Sequence, residues 1–255
     1  MFVGPKDLDL LRSTKPPIDG LVDFGWFSVV ARPIFLGMHY IHDRWTNNFG
    51  WAIILLTILI NIALFPIKLK QIRSGQEMQR VAPLVKSSQD KYKGYKINDP
   101  RKQKMNQEMM KLYSEHNINP LSGCLPLLIQ MPFLYGFYQV LDLSIELRHA
   151  PWVLWIHDLS ARDPYYLLPI MMTVTMFLLQ RMTAMTVSDP AQQRMMMFMP
   201  LFMGFMFINF ASGLVLYWLT GNVVGIAQQL IMNRFLIKPA PPTGPPPRKT
   251  GTKDS

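Results

Sequence analysis

The chain is poor in charge and almost devoid of sulfur chemistry beyond methionine. Charged residues make up 16 % of 255, against roughly a quarter in soluble domains. The one cysteine, Cys124, cannot close an intramolecular disulfide or build a metal cluster. No glycine-rich phosphate loop, HExxH or GxGxxG occurs. Ser122, Ser144 and Ser212 have no base near them in sequence. His39, His42, His116, His149 and His157 all fall outside the long apolar runs, whose interiors hold no Asp, Glu, Lys, Arg or His. These absences argue against an intramembrane protease or a metallohydrolase. They also argue against an ion-coupled transporter, which keeps ionisable groups at mid-membrane. The expectation is a non-enzyme with no catalytic residue, no metal and no cofactor.

What is present is apolar and basic, in separate places. Apolar residues make up 49 % of the chain and the net charge is +10. Apolar runs appear at about 50–69, 121–141, 164–183, 195–210 and 213–234, charged only near their ends at Lys68, Arg181 and Arg234, each near the roughly 20 residues a spanning helix needs. The fold class read from this pattern is all-α: a polytopic membrane protein with five spanning helices. Residues 24–47 precede the first span and repeat Phe27, Val30, Ile34, Met38, Ile41 and Trp45 at helical spacing. Ser28, Arg32, His39 and Asp43 fall opposite. That is the pattern of an amphipathic helix lying in the membrane interface, although Pro33 suits a first turn better than a helix interior.

Between the first two spans lies an insert of another character. Residues 71–120 hold ten Lys or Arg against five Asp or Glu, a surplus of five positive charges. Two helices, about 71–92 and 100–117, fit around the break at 93–100. Met78, Val81 and Val85 form one apolar stripe, and Met105, Met109 and Leu112 another. The spacing predicts a two-helix antiparallel hairpin over 71–118, standing in water. With the basic tail, it falls on the cytoplasmic side under the positive-inside rule. Net positive charge here fits anionic headgroups or a ribosome rather than a specific nucleic-acid sequence. Five spans then put the N-terminus outside. Residues 1–23 lack a signal peptide, so an anchor helix and an external domain are expected to precede them. The core is expected over 48–237, and 239–255 reads as a disordered, proline-rich basic tail.

Within the spans the chemistry is uncharged and polar. Thr57 and Asn61 are four apart on one helical face. Gln130, Gln180, Asn209, Tyr217, Trp218, Thr220 and Asn222 punctuate the later spans. Taken singly, such groups serve helix-to-helix hydrogen bonds of under about 1 kcal/mol each. Taken together, they are also compatible with a wet cavity.

Several stretches resemble the YidC insertase family, whose relatives include the mitochondrial Oxa and chloroplast Alb insertases. They are NPLSGCLPLLIQMP at 119–132, WIHDLSA at 155–161, DPYY at 163–166, DPAQQ at 189–193 and SGLVLYW at 212–218. FVGPK at 2–6 resembles the end of the external domain of Gram-negative members. The resemblance implies an inner-membrane insertase and chaperone for nascent membrane proteins. Its implied partners are the ribosome, the Sec translocon and membrane lipids. The alternative is an assembly factor that docks ribosome or Sec without a translocating groove. The implied mechanism is a hydrophilic groove open to cytoplasm and lipid but closed outside. It shortens the dry path of a charged flank, whose insertion at mid-bilayer costs roughly 2.5–3.5 kcal/mol. Thr57, Asn61, Gln130, Gln180, Tyr217, Trp218 and Asn222 are the expected groove and client-contacting residues. Many family members carry an arginine where Phe65-Pro66 aligns Asn61. Either the groove here is neutral or its charge comes from elsewhere, with Arg181 and Arg73 as candidates.

Overall fold

The computed structural model describes residues 28–92, 94–95, 99–116, 125–183 and 190–236. Among them the regular structure is entirely helical: α1 Ser28–Ile41, α2 Phe49–Ala63, α3 Phe65–Lys91, α4 Pro100–Glu115, α5 Leu125–Leu143, α6 Leu167–Met182, α7 Pro190–Phe207 and α8 Ser212–Ile231. Single π-helical turns follow α1 and α8. The expected end of the external domain at 1–23, Cys124 and the tail at 239–255 lie outside the described residues.

The amphipathic segment forms as its periodicity requires. Ala31, Ile34, Phe35, Met38 and Ile41 are buried on α1, which packs on α5 and α2. Trp45, expected on this apolar face, is instead exposed in the π-turn. His39, expected on the polar face, is half-buried and pairs with Glu146 beyond α5. Pro33 sits inside α1. The carbonyl its missing N–H leaves unbonded belongs to Val29, an exposed residue, so the loss falls on the outer side of the helix.

Asn48 starts α2 as an N-cap, its Oδ1 accepting from the Gly50 and Trp51 N–H groups at 3.0 and 3.3 Å. The run 50–69, expected as one helix, breaks at Leu64. Pro66 has no N–H to give the Ile62 carbonyl, and Leu64 closes α2 onto the Ile60 carbonyl at 2.9 Å. α3 then runs 27 residues without interruption. The α3–α4 hairpin is held by a small cluster: Val81 and Val85 are buried against Leu84, Met109 and Tyr113. Asp99 caps α4 through the Arg101 N–H, with Pro100 in the first turn. Of the expected stripes, Val81, Val85 and Met109 meet here, and the first arm begins at Phe65 rather than near 71 because no break separates it from the segment after Leu64.

Helices α5, α6, α7 and α8 occupy the remaining stretches expected as spans, with ends shifted by a few residues. α7 and α8 are joined by a turn at 208–211, and Gly213 lies inside the first turn of α8. Among the described residues, one helix, Ser212–Phe235, is long and apolar enough to cross a membrane. The number is up to two if Ser28–Thr46 and Phe49–Ala63, bent by 117°, are counted as one broken span. α8 is the central element, packing on α6, α2 and α5. Its half next to the turn, Ser212 to Trp218, is completely buried.

Candidate functional site

Two ends of the helix bundle differ in chemistry. At one end the segment 144–166 lies over the N-termini of α2, α6 and α8. Ala161 O accepts from both the N–H and the Oγ of Ser212 at 2.7 Å, and Leu159 O accepts from Gly213 N at 2.8 Å. A β-carbon on Gly213 would stand 2.9 Å from Leu141 Cδ2 and 3.2 Å from that Leu159 oxygen, so glycine suits the close approach. Asn48 Nδ2 donates to Pro151 O at 3.0 Å. Asp163, 1 % exposed, accepts from Trp155 Nε1, Tyr165 N and Leu168 N at 3.0, 3.0 and 2.7 Å. It thereby caps α6 and fastens the segment to it. Tyr40, Trp45, Trp51, Leu154 and Tyr165 are exposed around this end, the amphipathic rim expected at a membrane interface.

At the other end, where α2 and α8 finish and α3 leaves toward the hairpin, polar side chains turn inward. Thr57 is fully buried and returns its hydroxyl to Ile53 O at 2.6 Å. Asn61 Nδ2 donates to Thr57 O at 2.8 Å. Gln228 Nε2 crosses from α8 to Asn61 O at 3.0 Å. Lys68 Nζ donates to Asn61 Oδ1 at 2.5 Å and to Gln228 Oε1 at 3.4 Å. Asn61 lies 13 residues past Asn48, roughly 20 Å along a helix at about 1.5 Å per residue.

The other expected site residues are held elsewhere. Gln130 Nε2 donates to Tyr217 Oη at 2.5 Å, and the Tyr217 ring stacks on Phe137 at 4.1 Å. Gln180 Nε2 donates to Met196 O on α7 at 2.6 Å. Asn222 Nδ2 reaches Met172 O and Thr175 Oγ1 on α6, both at 3.3 Å. Trp218 meets Phe207 edge-on at 5.1 Å. The structure therefore brings Thr57 and Asn61 together, and Gln130 with Tyr217. Among the described residues no hydrogen bond joins Gln180, Trp218 or Asn222 to the Asn61 group. A cavity of about 380 Å³ lies at the covered end, lined by Tyr138, Asp142, Arg148 and Asn209 among others. No expected groove residue lines it.

Two partners of Asn61 escaped the sequence reading. Gln228 lies within the apolar fifth run, and Lys68 stands at the charged end of the first. A signal existed for Lys68: seven residues at about 100° each return to within about 20° of the starting face. Arg181 and Arg73, the cations considered instead, are both exposed, and Arg181 lies over the Phe177 ring at 4.8 Å.

Outside these groups the helices present apolar surface. Leu59 and Ile62 on α2, Leu128 and Met131 on α5, Ile170, Val174 and Leu178 on α6, and Phe198, Leu201, Phe202 and Phe205 on α7 are all exposed. So much exposed apolar surface suits a hydrocarbon surround rather than water.

An all-helical protein with a lipid-compatible belt and polar groups turned inward is a membrane protein by class. The chain belongs to the 60Kd inner membrane protein family, whose model it matches over residues 40–239, and it is an inner membrane protein. Residues 1–36 match the YidC periplasmic domain. The chain is 44 % identical over 237 residues to the membrane protein insertase YidC of Campylobacter jejuni, covering 93 % of this chain and 44 % of that protein. It is 46 % identical over 235 residues to the insertase YidC of Wolinella succinogenes, covering 92 % and 42 %. The chain thus spans less than half the length of these curated relatives. A crystal structure described as an active YidC insertase with its first transmembrane domain resolved superposes with a TM-score of 0.64 at 28 % identity. The match covers 89 % of this chain and 53 % of that one. The resemblance read from the motifs is borne out.

Proposed function

We propose that this chain is the membrane core of an insertase and chaperone that moves nascent membrane proteins from the cytoplasm into the inner membrane. The observation that carries the reading is the asymmetry of the bundle. Segment 144–166 is fastened over one end by buried hydrogen bonds, and Asn61, Gln228 and Lys68 form an inward polar group at the other. In this reading α2 with the start of α3, then α5, α6, α7 and α8, are five spans. α1 lies at the outer interface, and the α3–α4 hairpin stands in the cytoplasm with the C-terminus. α6 and α7 are short for a full bilayer, which suits local thinning where a polar flank must cross. Burial of the client's own apolar helix drives release into lipid, so no nucleotide or other cofactor is needed. Ribosome and Sec translocon are the partners that the basic hairpin and the motif resemblance imply.

A photo-crosslinker at Asn61, read during translation of a short membrane client, tests the proposal. Adducts at Asn61 are expected. Adducts confined to the hairpin would count against a groove. In depletion rescue, Asn61→Leu is expected to impair insertion more than Cys124→Ala, and equal, negligible effects would remove Asn61 from the site.

One observation favours a second reading, an assembly factor that docks ribosome or Sec without translocating. Thr57, Gln180 and Asn222 already have protein partners and do not open onto one shared cavity. The same crosslinks separate the two readings.

A further inference from the structure

The cavity of about 380 Å³ at the covered end stands apart from the polar group around Asn61. Its apolar lining includes Leu141 and Leu214, both buried, and the Tyr138 and Phe210 rings, which meet edge-on at 6.5 Å. Its polar lining includes Asp142, Arg148 and Asn209, all exposed. Among the described residues, Asp142 and Arg148 form no ion pair, with each other or with any third group, and the Asn209 amide has no hydrogen bond. The other acids of this end are satisfied. Glu146 pairs with His39, and Asp158 accepts from Ser160 Oγ at 2.7 Å and faces His149 at 3.3 Å.

Two features of α5 point to an occupant. Asp142 stands in its last turn, where the helix dipole is negative and a carboxylate is disfavoured without a cation beside it. Leu128, Met131, Tyr135 and Tyr138 lead up to Asp142 at alternating spacings of three and four, and all are exposed. One face of α5 therefore carries an apolar stripe that ends at the carboxylate. The matching ligand has a cation, an anion and an apolar chain in one molecule. A guanidinium offers a planar fork of donors to a phosphate. A primary ammonium has three donors, enough for both the Asp142 carboxylate and the Asn209 oxygen.

We propose that this cavity seats the headgroup of a zwitterionic phospholipid with a primary ammonium, the phosphate on Arg148, the ammonium on Asp142 and the acyl chain along the α5 stripe. A soluble amino-phosphate shares the headgroup chemistry but leaves the stripe bare. A quaternary ammonium keeps the charge and lacks the N–H donors. The site needs the apolar belt to lie in lipid and nothing of the insertase reading.

The test extracts the protein from vesicles of equal parts phosphatidylethanolamine, phosphatidylcholine and phosphatidylglycerol and reads the retained lipid by native mass spectrometry. The ethanolamine lipid is expected to be retained over each of the others. Asp142→Asn is expected to lower the ratio of ethanolamine to glycerol lipid by roughly two- to fivefold, the scale of one exposed charge pair. Arg148→Gln is expected to lower retention of all three, since each carries the phosphate. Both side chains are exposed, so thermal midpoints are expected to stay at the wild-type value. A phosphatidylethanolamine with a photoreactive acyl chain is expected to mark wild-type α5 between Met131 and Tyr138, a result that does not depend on either variant folding. Equal retention of the three lipids by wild type overturns the proposal, as do variants that keep the wild-type ratios or adducts confined to other helices. Displacement of the lipid by soluble phosphoethanolamine overturns the lipid assignment in favour of a soluble zwitterion. A client segment that crosslinks at Asp142 while both variants retain lipid as wild type does also overturns it, and gives the cavity to clients.

Discussion

Gly50 lies directly beneath the indole of Trp152. A β-carbon built on Gly50 would stand 2.2 Å from Trp152 Cδ1 and 2.7 Å from its Cβ. The contact lets the segment 144–166 reach the first turn of α2, where Asn48 already holds Pro151 O. Gly50→Ala is expected to destabilise the protein by about 1–3 kcal/mol, the range for overpacking, read as a lower thermal midpoint in detergent. On a Trp152→Ala background the additional penalty is expected to vanish. An unchanged penalty there would show that the strain comes from the backbone of α2 instead.

Asp163 supplies acceptors for three N–H groups at a site that is almost fully buried. Asp163→Ala leaves those donors without it, and each buried unpaired group costs about 1–3 kcal/mol. Asp163→Ala is expected to cost roughly 3 kcal/mol or more, and Asp163→Asn less, since one carbonyl oxygen remains. Limited proteolysis of 144–166 provides the reading. Equal resistance in wild type and Asp163→Ala would refute the fastening role.

Gln130 and Tyr217 join α5 to α8. A double-mutant cycle with Gln130→Leu and Tyr217→Phe is expected to give a coupling of about 0.6 kcal/mol, the average for hydrogen bonds between membrane helices. A coupling near zero would mean that the bond is not formed in the membrane-embedded protein.

Glu108 links the two arms of the hairpin. Its carboxylate accepts from Tyr92 Oη and Ser88 Oγ, both at 2.9 Å. Those bonds, Tyr92 first, hold its carboxyl below its ordinary value of 4.5. A depressed carboxyl contributes stability that is present above the unfolded value and is lost as pH falls through the folded one. Amide-exchange protection in α3 and α4 is therefore expected to fall on going from about pH 7 to below about pH 4. Glu108→Gln, which does not titrate, is expected to flatten that dependence. An identical pH profile in the variant would assign the loss to other carboxyls.

The helices were legible in the sequence because uncharged runs and apolar stripes leave few alternatives. Val81, Val85 and Met109 meet where their spacing places them. The break at Leu64 was less visible, since Phe65-Pro66 sits in an otherwise unbroken apolar run and a proline near a helix start is well tolerated. The site was half legible. Asn61 and Thr57 announce themselves as polar residues among leucines and isoleucines. Lys68 does not, because a lysine at the end of an apolar run reads as an anchor to headgroups. Its inward course depends on Gln228, a residue 160 positions away. Pairings such as Gln180 with the Met196 carbonyl were equally closed to sequence reading, since a backbone acceptor carries no side-chain signature.

α3 begins three residues before Lys68 and ends at Lys91, without an intervening loop. At about 1.5 Å per residue it is a rod of roughly 40 Å, pivoting at Leu64. A tilt of about 10° at that pivot would sweep the far end of the rod through some ~7 Å on this geometry, yet shift Lys68 by under ~1 Å. The hairpin is thus the long arm of a lever and the ammonium its short arm. A displacement at the Glu108–Tyr92 end would reach the Lys68–Asn61 contact strongly reduced on the same geometry.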